Sequence, residues 1–149
     1  MQLNLTTDYA IRLLLCLGNT KGTLSGNNIA ATTRIPQNYL LKISSKLRKA
    51  GMIGSIAGAN GGYYLLKPLN KITLLEILKV MEPACKWNHC IEDDRFCSRG
   101  AATSYSVRKY YAQLQTELET KWLSRTLSEI VELVAAEEAV DGRQGEMVI

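Results

Sequence analysis

No stretch of the chain reaches the ~18–20 consecutive apolar residues that span a bilayer, so a membrane-embedded protein is not expected. The start, MQLNLTTDYAIR, lacks the basic segment and small-residue cleavage site of a secretory leader. The cytoplasm is therefore the expected compartment. Histidine occurs once, at His89, and there is no P-loop, dinucleotide fingerprint or nucleophile elbow. An enzyme is not expected, because catalysis would have to rest on cysteine alone. Internal repeats and low-complexity stretches are also missing. What is present is 46% apolar and 21% charged residues in a chain of 149, enough for a folded core in one small domain, with or without an arm.

Charge is divided unevenly. Residues 1–71 hold nine basic groups and one acid, Asp8, for a net +8, whereas residues 72–149 hold nine basic groups and thirteen acids, for a net −4. A polyanion partner is expected for the first half only.

The apolar spacing in that half predicts a helix over residues 7–19 (Ala10, Ile11, Leu14, Leu15, Leu17), capped by Thr6 or Thr7 and ended by Gly18-Asn19. Ser25 caps a short second helix. Ile35-Pro36 breaks the pattern, since a residue before proline is pushed out of the helical region. A third helix is expected from Gln37 to Ala50, with Tyr39, Leu40, Ile43, Leu47 and Ala50 inward and Gly51 as its stop. Strands are expected at 52–57 and 62–66. Asn60-Gly61 between them is a strong hairpin turn signature, in which both residues take positive φ. This order is that of a winged helix-turn-helix, mainly α with a small β-hairpin wing.

If the third helix enters a major groove, Gln37, Asn38 and Tyr39 near its start face base edges, where Gln and Asn can pair with adenine. Lys42, Lys46, Arg48 and Lys49 would hold phosphates, and the small residues Asn60 and Gly61 let the wing tip approach a backbone or minor groove. A solvated basic face is the plainer alternative for these lysines.

Thr73-Leu74-Leu75-Glu76 is a capping box opening a helix to about Met81. A polar loop over 83–98 follows, bearing Cys85, Cys90 and Cys97, with four and six intervening residues. Clustered cysteines in a reducing compartment point to a metal or redox site. The spacing fits neither common zinc pairs nor ferredoxin runs. An iron–sulfur cluster with one non-cysteine ligand, for which His89 is a candidate, and a loop of reactive thiols both remain open. Cys16 reads as a buried small hydrophobe. Asp8, in the first turn of its helix, suits the helix dipole. A long helix is expected over 99–122, with Val107, Tyr111, Leu114 and Leu118 as a coiled-coil-like seam. At ~36 Å such a helix outreaches so small a domain, so packing against a second copy is expected. A last helix carries Leu127, Ile130, Val131 and Val134 on one face.

The run IPQNYLLKISSKLRKAGMIGSIAGANGGYYL, the start MQLNLTTDYAIRLLLCL, the ITLLEILKVME helix and the three-cysteine loop together resemble the IscR/NsrR/CymR-type family of bacterial winged helix-turn-helix transcriptional regulators, and most closely its NsrR-like members. The resemblance covers residues 1–135. It implies a homodimeric transcription factor, a repressor, that binds a palindromic promoter in double-stranded DNA. Residues 1–71 would form the DNA-binding domain and 72–98 a linking helix and cysteine loop acting as sensor. Residues 99–138 would supply a dimerisation helix and a C-terminal helix, and 139–149 a disordered tail. It implies further that Cys85, Cys90 and Cys97 hold an iron–sulfur cluster, 2Fe–2S or 4Fe–4S, that senses nitric oxide, iron or redox state. In NsrR-like members an aspartate of the other subunit, similar in position to Asp8, completes the ligand set. CymR works without a cluster, so control through thiol oxidation or a partner protein stays open, as does a zinc-bearing winged helix that binds protein. Three positions depart from the family. Gly100 stands where IscR-like members carry a ligand histidine, Ala57 where many wings carry arginine, and Leu41 where IscR carries a glutamate used in sequence discrimination.

Overall fold

The structure, a computed structural model, describes residues 4–82 and 106–141. Helix α1 (Leu5–Gly18) starts two residues earlier than its apolar spacing indicates. Its cap is Asn4, whose Oδ1 accepts from the Thr6 amide at 3.2 Å. Thr7, one of the expected caps, is wholly buried and donates its hydroxyl to Glu82 Oε1 at 2.6 Å. Helix α2 (Gly26–Thr33) is capped by Ser25, as its sequence indicates, through a 3.2 Å bond from the Asn28 amide. It ends at Arg34, the one non-glycine residue at positive φ (57°) among those described. Helix α3 (Gln37–Lys49) follows Pro36 and stops at Ala50-Gly51, with Gly51 at φ 70°. Its buried face is Leu40, Ile43, Ser44 and Leu47; Tyr39 and Ala50, expected inward, lie outside it.

The wing pairs β1 (Ile53–Ile56) with β2 (Gly62–Leu65), antiparallel, from Ile53↔Leu65 to Ile56↔Gly62. That register leaves residues 57–61 as the loop, one residue longer than the expected strands leave, and Asn60 and Gly61 do not take the positive φ expected of them. The positive φ falls on Gly58 (112°), and the Gly61 amide closes the loop onto Gly58 O at 3.0 Å. Gly61 and Gly62 are needed for a different reason. A Cβ on Gly61 would strike the Ile56 carbonyl, and one on Gly62 the Leu24 carbonyl. Leu24 is there because it pairs with Tyr63 as a one-residue extra strand, with bonds of 2.9 and 2.8 Å.

Ala10, Leu13, Leu14 and Leu17 of α1 pack with Ile29, Ile35, Leu40, Ile43, Leu47 and Ile53 into one core. Cys16 is buried at its edge, and burial pushes its thiol pKa up. Helix α4 (Leu74–Met81) closes the core through Ile77 and Met81. Its capping box forms: Thr73 Oγ1 accepts from the Glu76 amide (3.2 Å) and Glu76 accepts from the Thr73 amide (2.9 Å).

Helix α5 (Ser106–Glu117) ends in a widened π turn, Leu118–Trp122, and the start expected near residue 99 lies outside the described residues. Thr116, Thr120 and Ser124 each donate to the carbonyl four residues back, at 2.6–2.9 Å, along this segment. Such back-bonding loosens a helix ladder. Helix α6 (Leu127–Asp141) runs past its expected end at residue 138. A second capping box, missed in the sequence, opens it: Thr126 accepts from the Glu129 amide (3.3 Å), and Glu129 accepts from the Thr126 amide (2.7 Å). The two boxes sit side by side. Thr73 and Thr126 form a β-bridge; the Leu74 and Leu75 amides donate to Arg125 O and Leu123 O, and the Leu127 amide to Ile72 O. Leu127 thereby enters the core of the first half.

Thr73→Ala is expected to lower stability by about 1 kcal/mol, read as a drop in melting temperature of about 3 °C. The Lys67 ammonium, bonded at 2.6 Å, and then the Thr73 amide hold the Glu76 carboxyl below the usual carboxylate range. A folded pKa below the unfolded one stabilises at neutral pH and loses that contribution as pH falls through the folded value. The melting difference between wild type and Glu76→Gln should therefore be largest near neutrality and close in acid. A constant difference would contradict this.

Candidate nucleic-acid interface

With Leu40, Ile43, Ser44 and Leu47 buried, α3 turns the stripe Asn38, Leu41, Lys42, Ser45 and Lys49 to solvent. The spacing of three or four places these five on one face. Ser44, missed in the sequence because serine reads as surface, fixes α3 to the wing. Its hydroxyl lies 3.2 Å from Leu41 O and 3.3 Å from the Tyr63 hydroxyl on β2. A groove of about 390 Å³ runs between helices and wing, lined among others by Asn27, Gln37, Leu41, Ile56, Gly58 and Gly61.

The residues expected at the interface are not equally placed. Asn38 and Lys42 are exposed on the stripe, and Lys49 continues it to the end of α3. Gln37 is exposed, but its amide nitrogen donates to the Asn27 side chain across the turn. Tyr39 packs edge-to-face on Tyr9 of α1 (5.7 Å, 70°), beside the stripe rather than on it. Lys46 directs its amine to Met81 O, 3.5 Å away at the end of α4. Asn60 and Gly61 are at the wing tip. Arg48 and Lys49 are exposed in the last turn of α3, where they also suit the helix dipole. Only Asp8 is acidic in the first 71 residues, so the field over α2, α3 and the wing is positive.

Asp8 is neutralised locally. Its carboxylate holds Arg12 at 2.7 Å, with the Asp8 side chain 47% exposed, and the Arg12 guanidinium lies over the Tyr9 ring at 5.7 Å. The other candidate ligands, Cys85, Cys90, Cys97 and His89, lie outside the described residues. The chain enters that segment from a clamped position. Glu82 Oε1 accepts both the Asn4 amide (2.9 Å) and the Thr7 hydroxyl, while Met81 O faces Lys46. Residues 81 and 82 thus touch α1 and α3 immediately before the cysteines begin.

Known proteins share this fold. Residues 3–133 match the Rrf2 family, described as an iron-dependent transcriptional regulator. The HTH-type transcriptional regulator NsrR of Shouchella clausii is 39% identical over 92 residues, 60% of this chain and 62% of that protein. In fold, the chain is similar to CymR (YrzC), the global cysteine regulator of B. subtilis, with a TM-score of 0.71 at 24% identity over 89% of this chain and 98% of that one. It is also similar to T. potens IscR, with a TM-score of 0.66 at 22% identity over 98% and 93%. The chain belongs to the Rrf2 family of DNA-binding transcriptional regulators, not to an enzyme family.

Proposed function

We propose that the chain is a cytoplasmic, homodimeric repressor that reads a palindromic promoter with α3 and the wing, and whose affinity is set by the cysteine segment. The observation that carries the DNA reading is the solvent-facing stripe of α3, Asn38 to Lys49, set against a basic surface and anchored to the wing through Ser44. Lys42 and Lys49 are assigned to phosphates and Asn38 to a base edge, with Asn60 and Gly61 close to the backbone or minor groove. Residues 1–71 act as the DNA-binding unit, 72–98 as the sensor and 99–138 as the dimerisation arm.

Apolar surface on the last two helices supports dimerisation. Trp122 is 61% and Tyr110 59% exposed, with Val107, Val131 and Val134 also open to solvent. A second copy would cover them and hold two recognition helices about one DNA turn, ~34 Å, apart.

For the sensor, three thiolates are the donor chemistry of iron–sulfur sites, and the family match carries an iron-dependent description. Cys85, Cys90 and Cys97 would hold the cluster, 2Fe–2S or 4Fe–4S, with Asp8 from a second copy as fourth ligand and His89 as the lesser candidate. Asp8 fits the role in being half exposed, with its Oδ2 held by Arg12 and a second carboxylate oxygen left to ligate. A bound cluster supplies a centre that nitric oxide or oxygen can attack. The chain's own contribution is transmission. Glu82 ties the start of the cysteine segment to α1 and Met81 ties it to α3, so its state reaches the recognition helix through the Lys46 contact to Met81 O.

DNA affinity measured by fluorescence anisotropy should fall by about 0.9 log units per log of salt for each phosphate contacted. Lys42→Ala should reduce that slope by about 0.9. Lys46→Ala should change it less, because its amine is turned to α4. A flat salt profile would favour a protein-binding winged helix instead. Protein purified without oxygen should show visible absorption, with iron and sulfide in stoichiometric amounts. A colourless protein after anaerobic reconstitution would leave thiol or partner-protein control, and zinc in its place would overturn the cluster.

A further inference from the structure

Leu41 is the most exposed large hydrophobic side chain among the described residues, at 64%. A single exposed leucine is ordinary on a protein surface, but this one occupies the centre of the outward stripe of α3. Asn38, Lys42 and Ser45 surround it on that face. It also lines the groove between helix and wing, across which Ile56, 55% exposed, supplies a second apolar wall. Its backbone position is set, since Leu41 O accepts from the Ser44 hydroxyl that also meets Tyr63.

An apolar side chain in a major groove has one matching feature among the base edges, the 5-methyl group of thymine. Against a G·C pair, the same side chain would cover the guanine O6 or cytosine N4 without offering a hydrogen bond, which penalises that pair. We propose that Leu41 packs on a thymine 5-methyl group and selects a T·A pair at that step of each half-site. The proposal rests on α3 being the recognition helix. It assigns sequence discrimination to a residue that neither donates nor accepts, beside Asn38, which does both.

The test uses a duplex selected in vitro from a random pool by the wild-type protein, with each thymine then replaced in turn by deoxyuridine, which removes the methyl group alone. Wild type should lose about fourfold in affinity at one thymine per half-site. Leu41→Ala should bind the parent duplex about as weakly as wild type binds the uracil duplex, and should show no loss on that replacement. Leu41→Gln, close in length but polar, checks the same point by a second route. Unchanged melting temperatures confirm that each variant is folded. Equal losses for wild type and Leu41→Ala, or no loss for wild type at any thymine, would overturn the proposal. Asn38→Ala and Lys42→Ala on the parent duplex test the helix separately. If both bind as wild type does, the recognition-helix reading itself fails. If they weaken binding while uracil has no effect, only the methyl contact is lost.

Discussion

Helix α3 can bury only one face, and the rest of the molecule is arranged around that limit. Leu40, Ile43, Ser44 and Leu47 are drawn against α1 and β1, so Asn38, Leu41, Lys42, Ser45 and Lys49 must point outward. Apolar burial is non-directional, and orientation comes from the polar contacts at its edges. The Ser44 hydroxyl meets Tyr63 on the wing, and Tyr39 meets Tyr9 on α1. These two contacts, one on each side of the helix, set how far the stripe stands from the wing and from the first helix.

Among the described residues, the C-terminal helices join this body at one place. Two capping boxes, at Thr73 and Thr126, bring their backbones into a short bridge, and Leu127 is inserted into the core beside it. Each box satisfies orphan amides at a helix start, and the bridge satisfies further amides and carbonyls of the flanking residues. Movement of the arm is thereby linked to the start of α4. The other end of α4 carries Glu82 and Met81, which hold α1 and α3. One eight-residue helix therefore has the arm at its start and the DNA-binding helices at its end.

Much of the fold was legible. Ser25, Thr73, the Ile35-Pro36 break and the Gly51 stop placed the ends of α2, α3 and α4 correctly, because caps and breakers act over three or four residues. The wing strands were legible from the Gly-rich punctuation between them. Its turn was not: Asn60-Gly61 carries a two-residue hairpin signature, yet the loop is five residues long and Gly58 takes the positive φ. Register wins over local preference there, because Tyr63 must also pair with Leu24, thirty-nine residues before it in the chain but adjacent in space. Thr126 and Glu129 have the same capping-box spacing as Thr73 and Glu76, so the start of α6 was also written in the local sequence. The π turn at Leu118–Trp122 left no mark in the apolar spacing.

Of the candidate site, residue types were readable and their directions were not. The sequence by itself determined a basic first half and an amphipathic α3, because charge and period are local properties of the chain. Only the tertiary structure decided which polar groups stay available. Gln37 is engaged by Asn27 and Lys46 by Met81 O, while Asn38 and Lys42 remain open. The reason is physical. A side chain's partner is set by whatever the fold brings within about 3 Å, and each fold-made partner here, Asn27 and Met81, belongs to another helix.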